Sequence, residues 1–383
     1  MLKSLLIICG KVLTWVNFLL PKKTDRIMFY SNLGFRDNGK ALFDYMIAHK
    51  VYKKYEIIVA SNDYKELNKF PNVKYTSCIR GLFYFFRTKY FFYAFGKYPI
   101  MPAKKQMVVN LWHGMPLKKI GNLESGKENN KYDFFSYVLS TSPVFDSIME
   151  KSFSCGMNRI LHLGQPRTDA MFDVGVSEHP FKKYNKVFIW MPTFRVTDIL
   201  HESNATEENC FLPLLHSEND LDIIDQKLQE SDCLLLIKLH PIQRTSGFSQ
   251  KNKNNIVFID EQFLHDKNLD LYKLLGLTDA LITDYSSVYF DYLLLNKPIL
   301  FTTGDIEDYK AKRGLNFDNP LSIMPGPHID SFEKLIEEFD LLINNKDKYQ
   351  DLRLSLNEQL NKYVTRHNSR DIIDFCKIEM GDE

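Results

Sequence analysis

Residues 280–301 read ALITDYSSVYFDYLLLNKPILF and contain the signals of a strand, a turn, a helix and a second strand. The first four residues are apolar or β-branched, and the turn TDYSS that follows supplies small polar residues. A mostly apolar run then ends at Asn296, before Lys297-Pro298 and a new apolar run. Short apolar strands separated by helices are typical of parallel sheets that are covered on both faces. This stretch therefore predicts an α/β fold.

The same alternation extends in both directions along the chain. Apolar runs predict strands, and the stretches between them that have helical spacing predict helices. The predicted strands are 26–31, 56–60, 106–111, 137–140, 186–191, 233–239, 256–259, 280–283 and 299–301, and the predicted helices are 40–48, 220–230, 269–275 and 287–295. From Ser331 onwards the pattern is helical and highly charged, without strands.

The length of 383 residues suits two domains of roughly 150–190 residues each. A polar stretch at 175–186 contains Pro180 and three lysines, and it is the predicted domain boundary. We therefore predict an N-terminal helix over 1–22, an N-terminal α/β domain over 23–180 and a C-terminal α/β domain with terminal helices over 181–383.

The composition excludes several classes of protein. A net charge of +1 argues against a nucleic-acid-binding protein whose affinity rests on a basic face. The six cysteines are scattered, without the C-x-x-C or His-Cys spacing that holds zinc, and are typical of a reduced cytosolic protein. No metal site and no nucleic-acid partner are predicted.

Two apolar segments carry cations and suggest contact with a membrane surface. Residues 5–20 are largely apolar, but Lys11 interrupts a run that is already short for a spanning helix. Residues 79–98 interleave ten Phe or Tyr side chains with four cations, a pattern that suits the headgroup layer of an anionic bilayer. The alternative for residues 79–98 is a buried helix–strand pair whose cations reach the solvent.

Ligands of open α/β sheets bind beyond the carboxyl ends of the strands, so the residues directly after predicted strands are the candidate site residues. His113 and Gly114 follow the predicted strand 106–111. His113 is a candidate general base, and Gly114 lets a ligand approach the backbone. The alternative is a histidine that binds a loop carbonyl group.

Lys238 and His240 lie two residues apart on an extended run, so their side chains project from the same face. A cation and an imidazole on one face suit charge neutralisation and proton delivery to a leaving group. The alternative is a lysine that reaches the solvent beside a structural histidine.

The turn before the predicted helix 287–295 offers a different kind of group. Ser286 and Ser287 place two hydroxyls and free N–H groups at a helix N-terminus, which favours an anion. Asp291 lies one turn further along the helix and is a candidate acceptor for a ribose hydroxyl. The alternative for the serines is helix capping, which needs no ligand.

Two further turns carry arginines. GQPRTD (164–169) contains Arg167, and PTFR (192–195) contains Arg195. The guanidinium fork suits phosphate or carboxylate. A surface ion pair is the alternative for either residue.

Taken in order, these segments resemble the CDP-glycerol glycerophosphotransferase family, the primases and polymerases of teichoic acids and related capsules. The matching segments are WHGMPLKKIG (112–121), GQPRTD (164–169), PTFR (192–195), KLHP (238–241) and TDYSSVYFDYLLLNKPILF (283–301), together with Tyr309, Arg313-Gly314 and Pro325-Gly326-Pro327. They extend over about residues 26–375. The combination of KLHP and TDYSS at this separation is specific.

The resemblance implies a GT-B architecture, in which a Rossmann-like acceptor domain faces a Rossmann-like CDP-donor domain across a cleft. It also implies that an acceptor hydroxyl attacks the β-phosphorus of a CDP-alcohol, that CMP leaves, and that no cofactor or metal takes part. His113 and His240 are the implied catalytic residues. The implied donor-phosphate and nucleotide residues are Thr193, Arg195, Lys238, Asp284, Ser286, Ser287, Asp291 and Arg313, and the implied acceptor or cleft residues are Gly114, Arg167 and Asp169.

We therefore predict transfer of glycerol phosphate from CDP-glycerol to a lipid-linked glycan acceptor, by a peripheral protein bound to anionic lipid at the cytoplasmic face of the cell membrane. The alternatives are a CDP-ribitol phosphotransferase, a nucleotide-sugar glycosyltransferase on the same scaffold, and an inactive membrane scaffold. The sequence departs from the family at 366–370, RHNSR, where many relatives carry Asp-Gly. It also lacks the long N-terminal extension of the large polymerases, so its size resembles the primase-like members.

Overall fold

The computed structural model describes residues 2–132, 134–173, 179–193, 212–239 and 251–381. The predicted site residues Arg195 and His240 lie outside these ranges. The chain forms two compact units. The first unit comprises Met1–Met115, Ile120–Asp169 and Lys362–Glu383, and the second comprises Pro116–Lys119 and Ala170–Asn361.

The first unit is built on a sheet of seven parallel strands. Its elements are α1 (Leu2–Leu19), β1 (Lys23–Ser31), α2 (Asp37–Ala48), β2 (Glu56–Ser61), β3 (Val73–Thr76), α3 (Cys78–Phe85), β4 (Thr88–Phe95), β5 (Met107–Asn110), β6 (Tyr137–Ser140), α4 (Pro143–Phe153) and β7 (Ile160–His162). The strand order is β3-β2-β1-β4-β5-β6-β7, with all neighbours parallel. The order reverses between β1 and β4, which is where doubly wound sheets open a ligand crevice.

Helices cover both faces of this sheet because the buried strands present apolar side chains alternately to each face. Ile27 and Phe29 of β1 belong to the cluster that includes Leu42 and Met46 of α2. Met28 points to the other face, where a Cβ on Gly81 of α3 would lie 3.0 Å from its methyl group. The glycine therefore lets α3 pack closely on the sheet.

The structure corrects the prediction that residues 79–98 form an aromatic membrane patch. Most of it forms the end of α3 and the central strand β4, in which Tyr90, Phe91, Phe92 and Tyr93 are all buried. A central strand is covered on both faces, so its aromatic residues belong to the core rather than to a membrane surface. The alternative of a buried helix–strand pair is the one observed. Ile79 and Phe83 of α3 nevertheless remain 82% and 74% exposed.

Helix α1 is held on the first unit by polar contacts near its end. Asn17 is buried and donates to the Met101 carbonyl (2.9 Å) and to Gln106 Oε1 (2.8 Å). Lys22 Nζ donates to the Phe86 carbonyl (2.5 Å), which ties α1 to the end of α3. Several apolar side chains of α1 stay exposed: Val12, Trp15, Val16, Phe18 and Leu19. Over the described ranges, no helix has both the length and the apolar character needed to cross a membrane.

The second unit contains a sheet of six parallel strands. Its elements are β8 (Lys186–Met191), α5 (Glu218–Glu230), β9 (Cys233–Ile237), β10 (Ile256–Phe258), α6 (Glu261–Asp266), α7 (Leu271–Leu277), β11 (Ala280–Thr283), α8 (Val288–Tyr292), β12 (Ile299–Thr302), α9 (Ile306–Arg313), β13 (His328–Ile329), α10 (Phe332–Ile343) and α11 (Gln350–Leu360). The strand order is β10-β9-β8-β11-β12-β13, so the order reverses between β8 and β11.

The last helix, α12 (Asn368–Cys376), returns to the first unit, where Ile372, Ile373 and Cys376 join the core. The predicted α/β fold with two parallel-sheet domains is confirmed. The observed units differ from the predicted ranges 23–180 and 181–383 at three points: the main part of the second unit begins at Ala170, residues from Lys362 belong to the first unit, and Pro116–Lys119 belong to the second. Burial of one apolar face of α12 against the first sheet explains the second difference.

Candidate active site

His113 lies next to the switch point of the first sheet, where it contacts the end of β4. The turn after β5 places Trp112 at φ +53° and Gly114 at φ +125°. A φ of +53° costs a residue with a side chain, here Trp112, about 1–2 kcal/mol. Glycine adopts positive φ angles readily. The turn brings His113 Nδ1 to 3.1 Å from the Ala94 carbonyl oxygen and stacks the imidazole on Phe95 at 4.7 Å and 25°. Both partners belong to the end of β4.

The contact with Ala94 fixes the tautomer of His113. A carbonyl oxygen only accepts hydrogen bonds, so Nδ1 carries the proton and Nε2 of the neutral ring has a free electron pair. Burial lowers the pKa of His113 from its usual value; Asp37 and the Ala94 contact oppose this effect, and Arg167 and Arg36 add to it. The imidazole is therefore neutral at pH 7 and ready to accept a proton.

Asn38 connects this turn to a second loop of the first unit. Its buried amide nitrogen donates to the Trp112 carbonyl (2.9 Å) and to Gln165 Oε1 (3.1 Å). Its oxygen accepts from the backbone N–H of Arg167 (3.1 Å). One side chain thus holds together the turn that carries His113 and the GQPRTD loop.

The predicted acceptor residue Arg167 is buried against α2. Its Nη1 donates to both carboxylate oxygens of Asp37, at 3.0 and 2.8 Å. Asp37 is itself at φ +60°, and its Oδ1 also accepts from the N–H of Asn38. The guanidinium is therefore engaged within the site, and its role toward an acceptor stays a prediction.

Asp169 anchors the C-terminal helix α12. Its carboxylate accepts from the backbone N–H groups of Asn368 (2.9 Å) and Ser369 (2.8 Å), at the start of that helix. Burial raises the pKa of Asp169, although these bonds oppose the shift. A Cβ on Gly164 would lie 1.9 Å from Asn368 Oδ1, so only glycine fits there. The segment RHNSR (366–370), at which the sequence departs from the family, thus packs on the loop 164–169.

The switch point of the second sheet holds Thr193 and Asp284. Asp284 follows β11 and is fully buried. Its carboxylate accepts from the Thr193 N–H (2.9 Å) and from the Thr193 hydroxyl (2.5 Å), which follows β8. Both residues were predicted to bind the CDP donor. In the structure they bind each other across the point at which the strand order reverses.

The serine turn begins a short helix. Helix α8 starts at Val288, its hydrogen-bonding is continued by the turn Leu293–Leu295, and Ser286 Oγ accepts weakly from the Val288 N–H at 3.4 Å. The Ser287 side chain makes no capping bond, and both serines are half-buried. Asp291 is buried and accepts from the Tyr272 hydroxyl at 2.8 Å. Its predicted contact with a ribose stays a prediction.

The predicted phosphate-binding cations occupy two places in the second unit. Lys238 Nζ lies 2.9 Å from Glu261 Oε1. Arg313 ends α9 and donates to the Lys119 carbonyl (3.4 Å), beside an antiparallel bridge between Lys118 and Leu315. The segment 116–119 that follows the WHG turn therefore pairs with the residues after Arg313. In the described part of the chain, no group of His, Cys, Asp and Glu side chains is close enough to hold a metal ion.

Sequence reasoning missed Arg36, Asp37 and Asn38, which all lie near His113 in the first unit. The predicted helix began at residue 40, whereas α2 begins at Asp37. A signal was present, because RDNG follows the first strand on the side at which ligands bind.

The chain is similar to several known proteins. The sequence profile of the CDP-glycerol:poly(glycerophosphate) glycerophosphotransferase family matches residues 12–377. The teichoic acid glycerol-phosphate primase of Bacillus subtilis (strain 168) is 30% identical over 288 residues, which cover 72% of this chain and 68% of that protein. The teichoic acid poly(ribitol-phosphate) polymerase of Bacillus spizizenii is 27% identical over 83% of this chain, which spans about half (51%) of the polymerase.

A solved structure of the wall teichoic acid polymerase TagF superposes with a TM-score of 0.75 at 23% identity, covering 93% of this chain and 89% of that one. That likeness supports the fold. The family profile covers nearly the whole chain, so it confirms the family predicted from the motifs and, with it, a phosphotransferase as the class of enzyme. The chain belongs to the CDP-glycerol:poly(glycerophosphate) glycerophosphotransferase family.

Proposed function

We propose that this protein transfers glycerol phosphate from CDP-glycerol to a hydroxyl group of a lipid-linked glycan acceptor and releases CMP. The observation that carries the proposal is the contact of His113 Nδ1 with the Ala94 carbonyl oxygen, which leaves Nε2 of the neutral ring with a free electron pair next to a switch point. Membership of the glycerophosphotransferase family supports the choice of donor.

In the proposed reaction, His113 Nε2 takes the proton of the acceptor hydroxyl while the hydroxyl oxygen bonds to the β-phosphorus of CDP-glycerol. The bond from that phosphorus to the oxygen that bridges the two phosphorus atoms breaks, and CMP leaves with the electron pair. Charge stays on the phosphate oxygens throughout, so positioning and electrostatic stabilisation supply most of the acceleration.

We assign the donor to the second unit. Lys238 and the half-buried hydroxyls of Ser286 and Ser287 follow the strands β9 and β11, at the edge where ligands of such sheets bind. His240, Arg195 and Arg313 complete the proposed phosphate-binding set. Thr193, Asp284 and Asp291 are assigned to shaping the nucleotide side of the site, since their polar groups bind within the unit.

Transfer of a group from a donor to an acceptor requires that the substrate-binding edges of the two sheets face each other. Each unit has its predicted residues after parallel strands, His113 after β5 and Ser286 after β11. We therefore propose the GT-B arrangement, in which the two units face each other across a cleft.

We further propose that the protein acts as a peripheral protein at the cytoplasmic face of the membrane, bound to anionic lipid. The support is the set of exposed apolar side chains on α1 and α3, which include Trp15 at 71% and Ile79 at 82% exposure. Exposed cations lie on or directly after the same helices, at Lys11, Arg80 and Arg87. Apolar side chains with neighbouring cations suit the headgroup layer of an anionic bilayer.

The main experiment measures CMP release from CDP-glycerol and from CDP-ribitol, with a lipid-linked acceptor analogue. General base catalysis contributes about 10²–10⁴-fold, so His113→Gln is expected to lower kcat by at least about 100-fold. His49→Ala is the matched control, because His49 also places Nδ1 near a backbone carbonyl (2.9 Å) and stacks on an aromatic ring, but lies exposed at the end of α2.

Release from CDP-glycerol alone would establish the proposed donor. Release from CDP-ribitol alone would select the second candidate, which the likeness to the poly(ribitol-phosphate) polymerase supports. Turnover by His113→Gln at the rate of His49→Ala would refute the role of His113. His240→Ala tests the donor side in the same assay.

The membrane proposal has a separate test with vesicles of anionic lipid. The double variant Trp15→Ser, Phe18→Ser is expected to lose vesicle binding, whereas Leu354→Ser, an exposed apolar residue of α11, is the control. Equal binding by a chain without residues 1–22 and by the full chain would contradict a role for α1.

A further inference from the structure

Arg36 lies close to His113, because both side chains contact Phe95. It lies exposed directly before α2, and its guanidinium carbon is 5.5 Å from the ring centroid of Phe95. Phe95 in turn stacks on the imidazole of His113, with 4.7 Å between the ring centroids. A cation and the candidate base therefore contact the same aromatic ring within the first unit.

The charge of Arg36 is not balanced locally. Over the residues that the structure describes, its side chain forms neither an ion pair nor a hydrogen bond. The adjacent carboxylate, Asp37, accepts from the buried Arg167 with both oxygens. Asp37 and Arg167 thus neutralise each other, and the positive charge of Arg36 remains beside His113.

Stacking on Phe95 holds the guanidinium without using its N–H groups. A cation–π contact at an exposed site restrains the group, and all five donors stay available to a ligand. The planar fork matches two oxygens of a phosphate group. Arg26 differs in this respect, because its guanidinium binds Glu56 at 2.7 Å.

We propose that Arg36 binds a phosphate group of the acceptor and thereby places the acceptor hydroxyl at His113 Nε2. The inference rests on the proposed function, because it takes His113 as the base for the acceptor. The chemical class is an alcohol whose reacting hydroxyl is a few bonds from a phosphate. In the proposed complex, the phosphate of such a molecule contacts the Arg36 guanidinium while its hydroxyl lies at the imidazole, since both side chains pack on Phe95. The phosphates of the donor are assigned to the second unit.

The test compares two acceptor analogues that both end in a glycerol unit and differ in one group, a phosphate next to that glycerol. For the phosphate-bearing acceptor, Arg36→Gln is expected to raise KM about 10-fold or more and to change kcat by less than about 3-fold. Arg36→Lys is expected to restore part of the loss, since a lysine keeps the charge but not the fork. With the phosphate-free acceptor, Arg36→Gln and wild type should not differ.

Lys40→Gln is the matched control, because Lys40 is an exposed cation of the same helix that pairs with Asp44. Its acceptor KM should equal that of wild type. Thermal unfolding of each variant checks that the fold is kept. A rise in the KM for CDP-glycerol instead of the acceptor KM would overturn the proposal, as would an equal loss with both acceptors or with Lys40→Gln.

Failure of the proposed function is recognised separately, by the absence of CMP release from wild type with either acceptor. The anion site is then tested by calorimetric titration of the full chain with glycerol 3-phosphate. Binding to wild type that Arg36→Gln weakens about 10-fold would support the site without the reaction. Equal binding by both proteins, or none by wild type, would overturn it.

Discussion

Replacing Asn38 by alanine removes the side chain that connects the His113 turn to the GQPRTD loop. The amide makes three close hydrogen bonds, to the Trp112 carbonyl, to Gln165 and from the Arg167 N–H, at 2.9, 3.1 and 3.1 Å. Asn38 is 0% exposed, so solvent does not replace these partners directly. At about 1 kcal/mol for each bond, the free energy of unfolding should fall by about 3 kcal/mol.

Activity should fall by more than the loss of stability explains. Trp112 is held at φ +53°, and its carbonyl is bound by Asn38. Release of that carbonyl lets the backbone relax by about 1–2 kcal/mol and moves His113, which is the next residue. A displacement of about 1 Å at a reacting group costs on the order of 100-fold in rate. We expect kcat of Asn38→Ala to fall by about that factor at temperatures where the variant is folded.

Two variants separate hydrogen bonding from packing. Asn38→Asp keeps the volume and the acceptor for the Arg167 N–H, but it places an oxygen against the Trp112 carbonyl and should be at least as damaging as alanine. Asn344→Ala is the control, since Asn344 is exposed and makes one side-chain bond to the Asp340 carbonyl. Urea unfolding measures stability, and CMP release measures kcat.

A loss of less than about 1 kcal/mol in Asn38→Ala would refute the estimate from hydrogen bonds. Unchanged kcat in a folded Asn38→Ala protein would refute the claim that this side chain positions His113. If Asn38→Asp were as stable and active as wild type, the donated bond to Trp112 would have no importance.

Because burial lowers the pKa of His113, the acid limb of kcat/KM should lie below about pH 6.5, and a pH–rate profile checks this. By linkage, the contribution of neutral His113 to stability is complete above the unfolded-state pKa of about 6.5 and is lost as the pH falls from there through the lower folded-state pKa. His113→Gln should remove this dependence in urea unfolding. Gly164→Ala should cost about 1–3 kcal/mol, because its Cβ would overlap Asn368 Oδ1, and urea unfolding measures the cost. Asp284→Ala should lower the stability of the second unit by about 2–4 kcal/mol through its bonds to Thr193, as followed by fluorescence of the buried Trp190.

The fold was predictable because the apolar runs are short and bounded by turn residues. The strands Lys186–Met191 and Ala280–Thr283 begin and end where the sequence predicts. Strand β4 was missed because a central strand is apolar on both faces and shows no alternation. Its aromatic residues and flanking cations then matched the composition of a membrane interface. Periodicity does not separate these two environments; only the position in the sheet does.

The candidate site residues were predictable in their places after strands, but their contacts were not. His113 and Asp284 follow strands of the two sheets, and the rule for open sheets is sufficient to find them. The partner of Arg167 is Asp37, which lies 130 positions away in the sequence, and nothing in a single sequence specifies that pair. The anchoring of Asn368 by Asp169, 199 positions apart, is of the same kind. Such contacts depend on the tertiary packing that brings loops together.

The two switch points differ in the chemistry that their buried groups permit. In the first unit, the backbone is strained at Trp112 and the adjacent His113 is neutral, with one ring nitrogen already bound and the other available. In the second unit, the carboxylate of Asp284 accepts hydrogen bonds from Thr193, and the side chains of Ser286 and Ser287 stay partly accessible to solvent. Strain and a lowered pKa are properties of a site that moves a proton, whereas hydroxyls and backbone donors suit an anion. This difference is the physical basis of the proposal that the first unit binds the acceptor and the second unit binds the donor phosphates.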